Sequence, residues 1–495
     1  MLLWSATYHF LDLCRAAWPF TTDDAYITLR YAWHWAHGDG ITFNAGAKPV
    51  EGYSNFAYVV VGAASLRLGI DPVVVLKGLG VLAPPLTAWL LYRIASRQVA
   101  PLWATLPGVV YLAFPGVAWW AVSGLETTVY GLAVVATVWA YDRAVSQTCV
   151  RARRRGASIT GVLVAVLGLL RPEGPLVGLV LGAMTLLGLA IAWRRGRIDR
   201  ARAHPDMAGG MLAGFVVPYV PYLVWRVHHF GYWLPNAAAC KASHPGSPWL
   251  LILEYTPVLV VAVATLAWAG RKLSRPANLA CLGINAAYLV LLYGVDTTIA
   301  YGLRHFLAAF ALVLVPVAVG AAAIGRRHGG ASSRGWVGMI AVHTVLWSVV
   351  SLADVDAHLR RFADGYDQRG HTRQEVATWL SDTLPQRGRF LMGDVGLTGY
   401  RTPQLHLVDA YCLNNEHMGR APEGEEARAL VAQVRAAPPA VLVVSSKSAT
   451  TLRSRSESFT YILQDPELGP QYELVRTFGE DRDAFNYWVY RWTGR

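Results

Sequence analysis

"SNFAYVVVGAASLRLGIDPVVVLKGLGVLAPPLTAWLLYR", residues 54–93, holds two apolar runs separated only by a short break around Gly69, Asp71 and Pro72. Whether one or both cross a membrane decides the topology of everything that follows. The run 73–95 is long enough, since roughly 20 residues rising about 1.5 Å each cover a hydrocarbon core of about 30 Å. The run 54–69 is short, carries Arg67 and ends at Asp71-Pro72, so it reads as a helix lying in the outer interface.

The surrounding chain has the composition of a polytopic α-helical membrane protein: 495 residues, 54% hydrophobic, 15% charged, mean hydropathy +0.32. Further apolar segments lie near 2–20, 100–121, 125–142, 158–170, 174–193, 208–226, 249–269, 277–294, 302–324 and 336–353. Between them fall basic clusters at Arg93/Arg97, 143–155, 194–202, Arg271/Lys272/Arg275 and Arg326/Arg327/Arg334. Short basic loops set membrane orientation, and all five clusters share the cytoplasmic side only if one of the segments before Arg93 does not cross, for which 54–69 is the candidate. This predicts about eleven crossings with the N-terminus inside. The net charge of +12 belongs to this pattern, which argues for a lipid bilayer and against a nucleic-acid partner.

On this topology the outer face receives the first outer loop 21–72, the turn 122–126, the loops 227–248 and 295–301, and the chain from about 355 onward. Residues 171–173 join them if 158–170 is the outward half of a hairpin. After 354 the composition becomes that of a soluble domain. Amphipathic helices in "HTRQEVATWLSDTL" and "GEEARALVAQVRAA" alternate with strands in "RFLMGD", "QLHLVDA", "AVLVVSS", "YELVRTFG" and "NYWVYRW". The expected organisation is a transmembrane region, 1–354, and a small extracytoplasmic α/β domain, 355–495. Cys14, Cys149, Cys240, Cys281 and Cys412 have no paired spacing, so neither a metal knuckle nor a disulfide framework is expected. The N-terminus lacks a basic leader and a small-residue cleavage site, and Asp12 and Arg15 interrupt its apolar run.

Polar groups among apolar segments cost free energy unless paired or working, so they are the informative residues. Here they are Asp23, Asp24, Glu51, Glu126, Arg171, Glu173, Asn236, Lys241, Asp296, Arg304 and His305, and all map to the outer face. Each has a plain structural reading. Asp23 could satisfy backbone amides of a helix through "AYITLRYAWHWA", Glu126 could cap the helix after "SGLET", Arg171 and Glu173 could neutralise each other, and Arg304 could reach lipid headgroups. Taken together, carboxylates and arginines on one water-facing side suit a lipid-phosphate sugar donor. Arginine holds the phosphate through its planar fork, while a carboxylate takes the proton of an attacking hydroxyl; a single displacement inverts the anomeric centre.

"TTDDAYITLRYAWHWAHGDGITFNAGAKPVEGYSNF", "SGLET", "RPEG", "LPN" with Lys241, "YGLRHF" and "GDVGLTGY…HLVDAYCLNN", in this order, resemble membrane glycosyltransferases of the C-type (GT-C) superfamily. The likeness is nearest to polyprenyl-phosphate-dependent enzymes similar to terminal β-arabinofuranosyltransferases of bacterial cell walls. It implies a bacterial plasma-membrane enzyme with a polyprenyl-phosphate sugar donor and a glycan or glycolipid acceptor. Carried over by position, Asp23 and Asp24 match the acidic pair, with Asp24 the general base. Glu51, Tyr53 and Asn55 match a segment shaping the substrate pocket, and Arg171 and Arg304 match phosphate-binding positions. His305 receives no role. The short, charged first segment and the Val395 and Leu397 that flank Gly396 depart from the family pattern.

A transporter or flippase of lipid-linked sugars would use the same polar residues, but transporters commonly carry internal repeats and none is visible. Against a reading with the C-terminal domain as the working part and the membrane region as an anchor, about eleven spans are far more than anchoring requires. No cofactor is called for. Adjacent carboxylates suit a hard divalent cation, yet two residues do not define a metal site.

Overall fold

The computed structural model describes residues 1–196, 198–242, 275–292, 301–327, 370–480 and 486–494, with a few positions between 255 and 264. Asp296, most of the expected span 249–269, the span 336–353 and the side chain of Lys241 lie outside the described residues. The chain forms two compact units. One comprises Met1–Trp18, Lys77–Trp225 and Gly246–Leu359; the other comprises Pro19–Leu76, Arg226–Pro245 and Arg360–Arg495. The grouping differs from a division at 354/355, because two segments of the first half join the C-terminal region.

In chain order the first helices are α1 (Leu2–Ala16), α2 (Asp23–Ala36), α3 (Phe56–Arg67), α4 (Pro72–Ala95), α5 (Pro101–Ala113) and α6 (Pro115–Val122). Next come α7 (Thr127–Val145), α8 (Val150–Leu170), α9 (Pro175–Arg194), α10 (Ile198–Phe230) and α11 (Asn236–Ala242). Helices Pro276–Leu292 and Leu307–Arg327 complete the apolar set among the described residues.

Among the described residues, α4, α9, His204–Phe230 of α10 and Arg304–Ala323 are long and apolar enough to cross a membrane; α5 and α6 together add a fifth. The protein is a polytopic helical membrane protein. Leu179, Leu186, Leu187, Val217 and Val224 on α9 and α10 are each more than half exposed, an apolar surface suited to lipid. By contrast Leu307, Ala309, Ala311, Leu312, Val313 and Val315 are fully buried, so their helix is the centre of the first unit. At 12 residues, α3 is about 18 Å long, too short to cross.

Two sequence expectations need correction here. The run 100–121, read as one span, is α5 and α6 bent by 56°. Pro115 has no amide to continue the helix and pushes Phe114 into an extended conformation, a break that hydropathy does not register. The run 158–170 is the end of a 21-residue helix, because the basic stretch from Val150 is itself helical.

Polar side chains sort to opposite ends of α7. Near its C-terminal end Asp142 pairs with Arg97 at 2.7 Å, and Arg275 donates to the Arg97 carbonyl at 3.0 Å. The basic start of α8 holds Asp206 through Arg153 and Arg154 at 2.9 and 2.8 Å. The other end carries Glu126.

The second unit is built on a mixed sheet of β1 (Arg389–Met392), β2 (His406–Asp409), β3 (Val441–Ser446), β4 (Tyr472–Phe478) and β5 (Asn486–Trp492). Their order is β2-β1-β3-β5-β4, with β1 parallel to β2 and β3, and β5 antiparallel to β3 and β4. All six residues of β3 are buried, as the continuous apolar run predicts for a central strand. Leu391, Leu430, Leu442, Phe459 and Ile462 form the core. Within this unit α3 and the short helix Leu397–Arg401 pack on α2.

Cys240 and Cys412 form a disulfide, with Cα atoms 5.5 Å apart and a sequence separation of 172. This corrects the expectation of isolated cysteines: no local spacing encodes a pair made only when α11 meets the loop after β2.

Candidate functional site

Asp23 opens α2, yet its carboxylate does not cap that helix. The Gly396 and Leu397 amides donate to it at 3.0 and 2.9 Å, and Arg373 lies 3.6 Å away. The amides it satisfies therefore belong to the start of the helix Leu397–Arg401. Gly396 must be glycine, since a Cβ there would fall 2.0 Å from the Asp23 carbonyl oxygen. Burial pushes the Asp23 carboxyl up, while Arg373 pulls it down. Arg373 also meets Asp394 at 3.3 Å and donates to the Tyr487 hydroxyl at 3.1 Å; that hydroxyl donates to Asp394 at 2.8 Å. Asp24 is the next residue on α2, half-buried and rotated by roughly 100° from Asp23. The two acids are thus separated in role by helix geometry: one is tied to backbone amides and the other faces a different direction.

Arg30, two turns further along α2, went unnoticed in the sequence. It is fully buried and meets no carboxylate among its hydrogen-bond partners. Its guanidinium donates to the Phe43, Thr402 and Leu405 carbonyls at 2.6, 3.1 and 2.9 Å, to Asn44 Oδ1 at 3.0 Å, and to the Gly399 carbonyl. Burial lowers its pKa to about 9, so it remains charged at neutral pH. Asn44 in turn pairs with both backbone groups of Leu407 at 3.0 Å, satisfying the free edge of β2.

The "EGYSN" residues are buried beside this. Glu51 accepts from Arg226 Nε at 3.0 and 2.9 Å, and burial pushes its carboxyl up to about 7 against the pull of that guanidinium. Tyr53 packs edge-on to Tyr31 at 4.9 Å, and Asn55 accepts from Thr28 at 2.8 Å. A Cβ on Gly52 would fall 1.8 Å from Asn414 Oδ1, so the motif glycine permits a close approach to the "LNN" loop. Asn236 of "LPN" donates to the Cys412 and Leu413 carbonyls at 2.7 and 2.9 Å, beside the disulfide. Arg226 was a further miss: it ends a long apolar helix, where its charge reads as interfacial.

The first unit gathers the remaining candidates. Arg171 follows α8, with its Nε 2.8 Å from Glu173, 3.6 Å from Glu126 and its Nη2 3.1 Å from His305 Nδ1. Its guanidinium lies over the Tyr130 ring at 5.5 Å, and the Tyr130 and Tyr288 hydroxyls bond to each other. Arg304 lies over the Trp120 ring at 5.3 Å. Four of the polar residues singled out in "SGLET", "RPEG" and "YGLRHF" (Glu126, Arg171, Glu173 and His305) therefore meet around Arg171, with Tyr130 beneath its guanidinium and Arg304 placed next in sequence to His305. Two arginines and two glutamates balance formally, and an arginine fork shared with carboxylates is also the geometry that phosphate oxygens accept. Among the described residues, no three His, Cys, Asp or Glu side chains group to hold a metal ion.

A family model described as a domain of unknown function (DUF8728) matches residues 358–490. No curated protein matches the chain by sequence. Solved structures do match in fold. ArnT from Cupriavidus metallidurans, bound to undecaprenyl phosphate, is 15% identical with a TM-score of 0.56, covering 97% of each chain. The oligosaccharyltransferase AglB from Archaeoglobus fulgidus, in complex with an inhibitory peptide and a dolichol-phosphate, is 10% identical with a TM-score of 0.56, covering 89% of this chain and 68% of that one. The arabinofuranosyltransferase AftD from Mycobacteria is 17% identical with a TM-score of 0.55, covering 99% of this chain and 41% of that one. The chain has the C-type glycosyltransferase fold.

Proposed function

We propose that the chain is an inverting glycosyltransferase that moves a sugar from a polyprenyl-phosphate donor to a cell-envelope glycan or glycolipid on the outer face of a bacterial plasma membrane. The observation that carries this reading is the fold held in common with ArnT over 97% of both chains, in a structure bound to undecaprenyl phosphate. Arabinofuranose is the sugar suggested by the sequence resemblance and by the likeness to AftD.

Asp24 is the general base. The acceptor hydroxyl gives its proton to the Asp24 carboxylate, its oxygen bonds to the anomeric carbon, and the bond from that carbon to the phosphate oxygen breaks with its electron pair on the lipid phosphate. Asp23, tied to two amides and Arg373, keeps the start of α2 in place. Arg171 and Arg304 hold the donor phosphate and stabilise the charge it gains, with Glu126, Glu173 and His305 orienting them. Glu51, Tyr53, Asn55 and Asn236 belong to the wall and support of the substrate region, and Lys241 is assigned to substrate binding by the sequence resemblance alone.

Two observations support the orientation. The Cys240–Cys412 disulfide suits an oxidising compartment, which supports the reading of an extracytoplasmic second unit. Arg97, Arg153, Arg154 and Arg275 lie near the end of α7 away from Glu126, which supports a cytoplasmic basic face. The C-terminal domain recognises acceptor.

Asp24→Asn should fold, with its disulfide formed and its thermal midpoint near that of the parent, and lose roughly 10²–10⁴-fold in transfer of a radiolabelled sugar from polyprenyl phosphate. Normal transfer by this variant would remove Asp24 from the mechanism. Uptake or flipping without release of polyprenyl phosphate, by the purified parent chain and without an ion gradient, would favour a transporter instead.

A further inference from the structure

The start of α2 and the helix at residues 370–383 border a half-open cavity in the second unit of about 170 Å³, far above the ~15 Å³ that one water needs by the same measure. Thr21, Asp23, Tyr26, His371, Arg373 and Gln374 line it. Its floor is rigid: Arg373 is only 5% exposed and sits between Asp23 and Asp394, while Asp23 is held by two backbone amides.

The charge balance selects the ligand. One guanidinium between two carboxylates gives an anion a net repulsive floor, and a small cation would have to displace or approach that guanidinium. A neutral molecule rich in hydroxyls meets neither cost. Asp23 Oδ1 faces the Leu397 amide and Arg373, whereas Oδ2 accepts the Gly396 amide and has acceptor capacity left for a ligand hydroxyl, while Gln374 and His371 can both donate and accept. The half-buried Tyr26 ring, 5.8 Å from the Tyr400 ring, offers a flat apolar face for the C–H side of a sugar.

We propose that this cavity binds one neutral sugar unit of the acceptor glycan. Its assignment to the acceptor rests on the transferase reading above; sugar binding as such does not.

The test uses the full chain in phospholipid nanodiscs and saturation-transfer NMR with methyl arabinofuranoside and methyl mannoside, with glucuronate and inorganic phosphate as anionic probes. Gln374→Ala and His371→Ala alter exposed residues of a helix and should leave folding intact, which the thermal midpoint checks. A neutral glycoside should bind the parent chain, and each variant should weaken it at least tenfold. Phosphate that competes with the glycoside, or variants that bind glycoside as the parent does, would overturn the proposal. Glycoside binding that depends on Gln374 in a chain that cleaves no polyprenyl-phosphate sugar would uphold the cavity and sink the transferase reading alone. Normal turnover with unaltered glycoside binding and acceptor KM in both variants would sink the cavity alone.

Discussion

Arg30 in the second unit and Arg171 in the first are both buried arginines, held by opposite kinds of partner. Arg30 is caged by four backbone carbonyls and one side-chain amide oxygen, groups that cannot leave without exposing the backbone. Arg171 is held by Glu173, Glu126 and His305, side chains that can rotate away. A carbonyl cage has no countercharge to exchange, so it makes a fixed joint. A carboxylate partner can be replaced by another anion, and a phosphate offers the same bidentate geometry. One arrangement is a lock and the other a site capable of exchange.

The largest effect that tests this contrast is expected at Arg30. Arg30→Met strands five acceptors at roughly 1–3 kcal/mol each before relaxation, so the second unit should fail to fold or lose well over about 3 kcal/mol. Arg30→Lys should recover little, since an ammonium has three donors where the cage uses the whole fork. Unchanged thermal unfolding in Arg30→Met would break the comparison.

Next in size is the disulfide. Cys412→Ser should cost about 2–4 kcal/mol, read as a lower midpoint that reducing agent reproduces in the parent chain and not in the variant. Equal sensitivity of both to reductant would show that the pair does not bear on stability.

Arg171→Lys keeps the charge and loses the fork. If Arg171 only neutralises glutamates, activity should survive; if it holds phosphate, the donor KM should rise about tenfold, or ~1.4 kcal/mol, with little change in thermal midpoint. The smallest effect is expected at Lys48, whose ion pair with Glu416 at 2.8 Å is exposed on the lysine side. Lys48→Ala should shift the midpoint by less than about 1 kcal/mol equivalent.

The candidate residues were legible in different degrees. Glu126, Arg171, Glu173, Arg304 and His305 stand out because they sit in short turns between apolar runs, and burial makes a polar group there costly unless it finds a partner. Tyr130 and Tyr288 escaped notice because a tyrosine in an apolar run is indistinguishable from core. Arg30 escaped because α2 already mixes polar and apolar residues, so one more charge carries no signal. The pair "DD" drew attention as a unit, and only the partners of Asp23 separate its two members.

By itself the sequence determined the apolar helices, the short α3, the strands of the C-terminal sheet and the polar residues that need explaining, because hydropathy and periodicity act over one or two turns of chain. The tertiary structure decided the bend at Phe114, the Cys240–Cys412 bond, the cage around Arg30 and the amides bound by Asp23. It also decided that residues 19–76 and 226–245 fold with 360–495. The bend reflects local proline geometry that hydropathy does not weigh. The rest depend on which groups, distant in sequence, meet at hydrogen-bonding or bonding distance, and no spacing along the chain encodes that meeting.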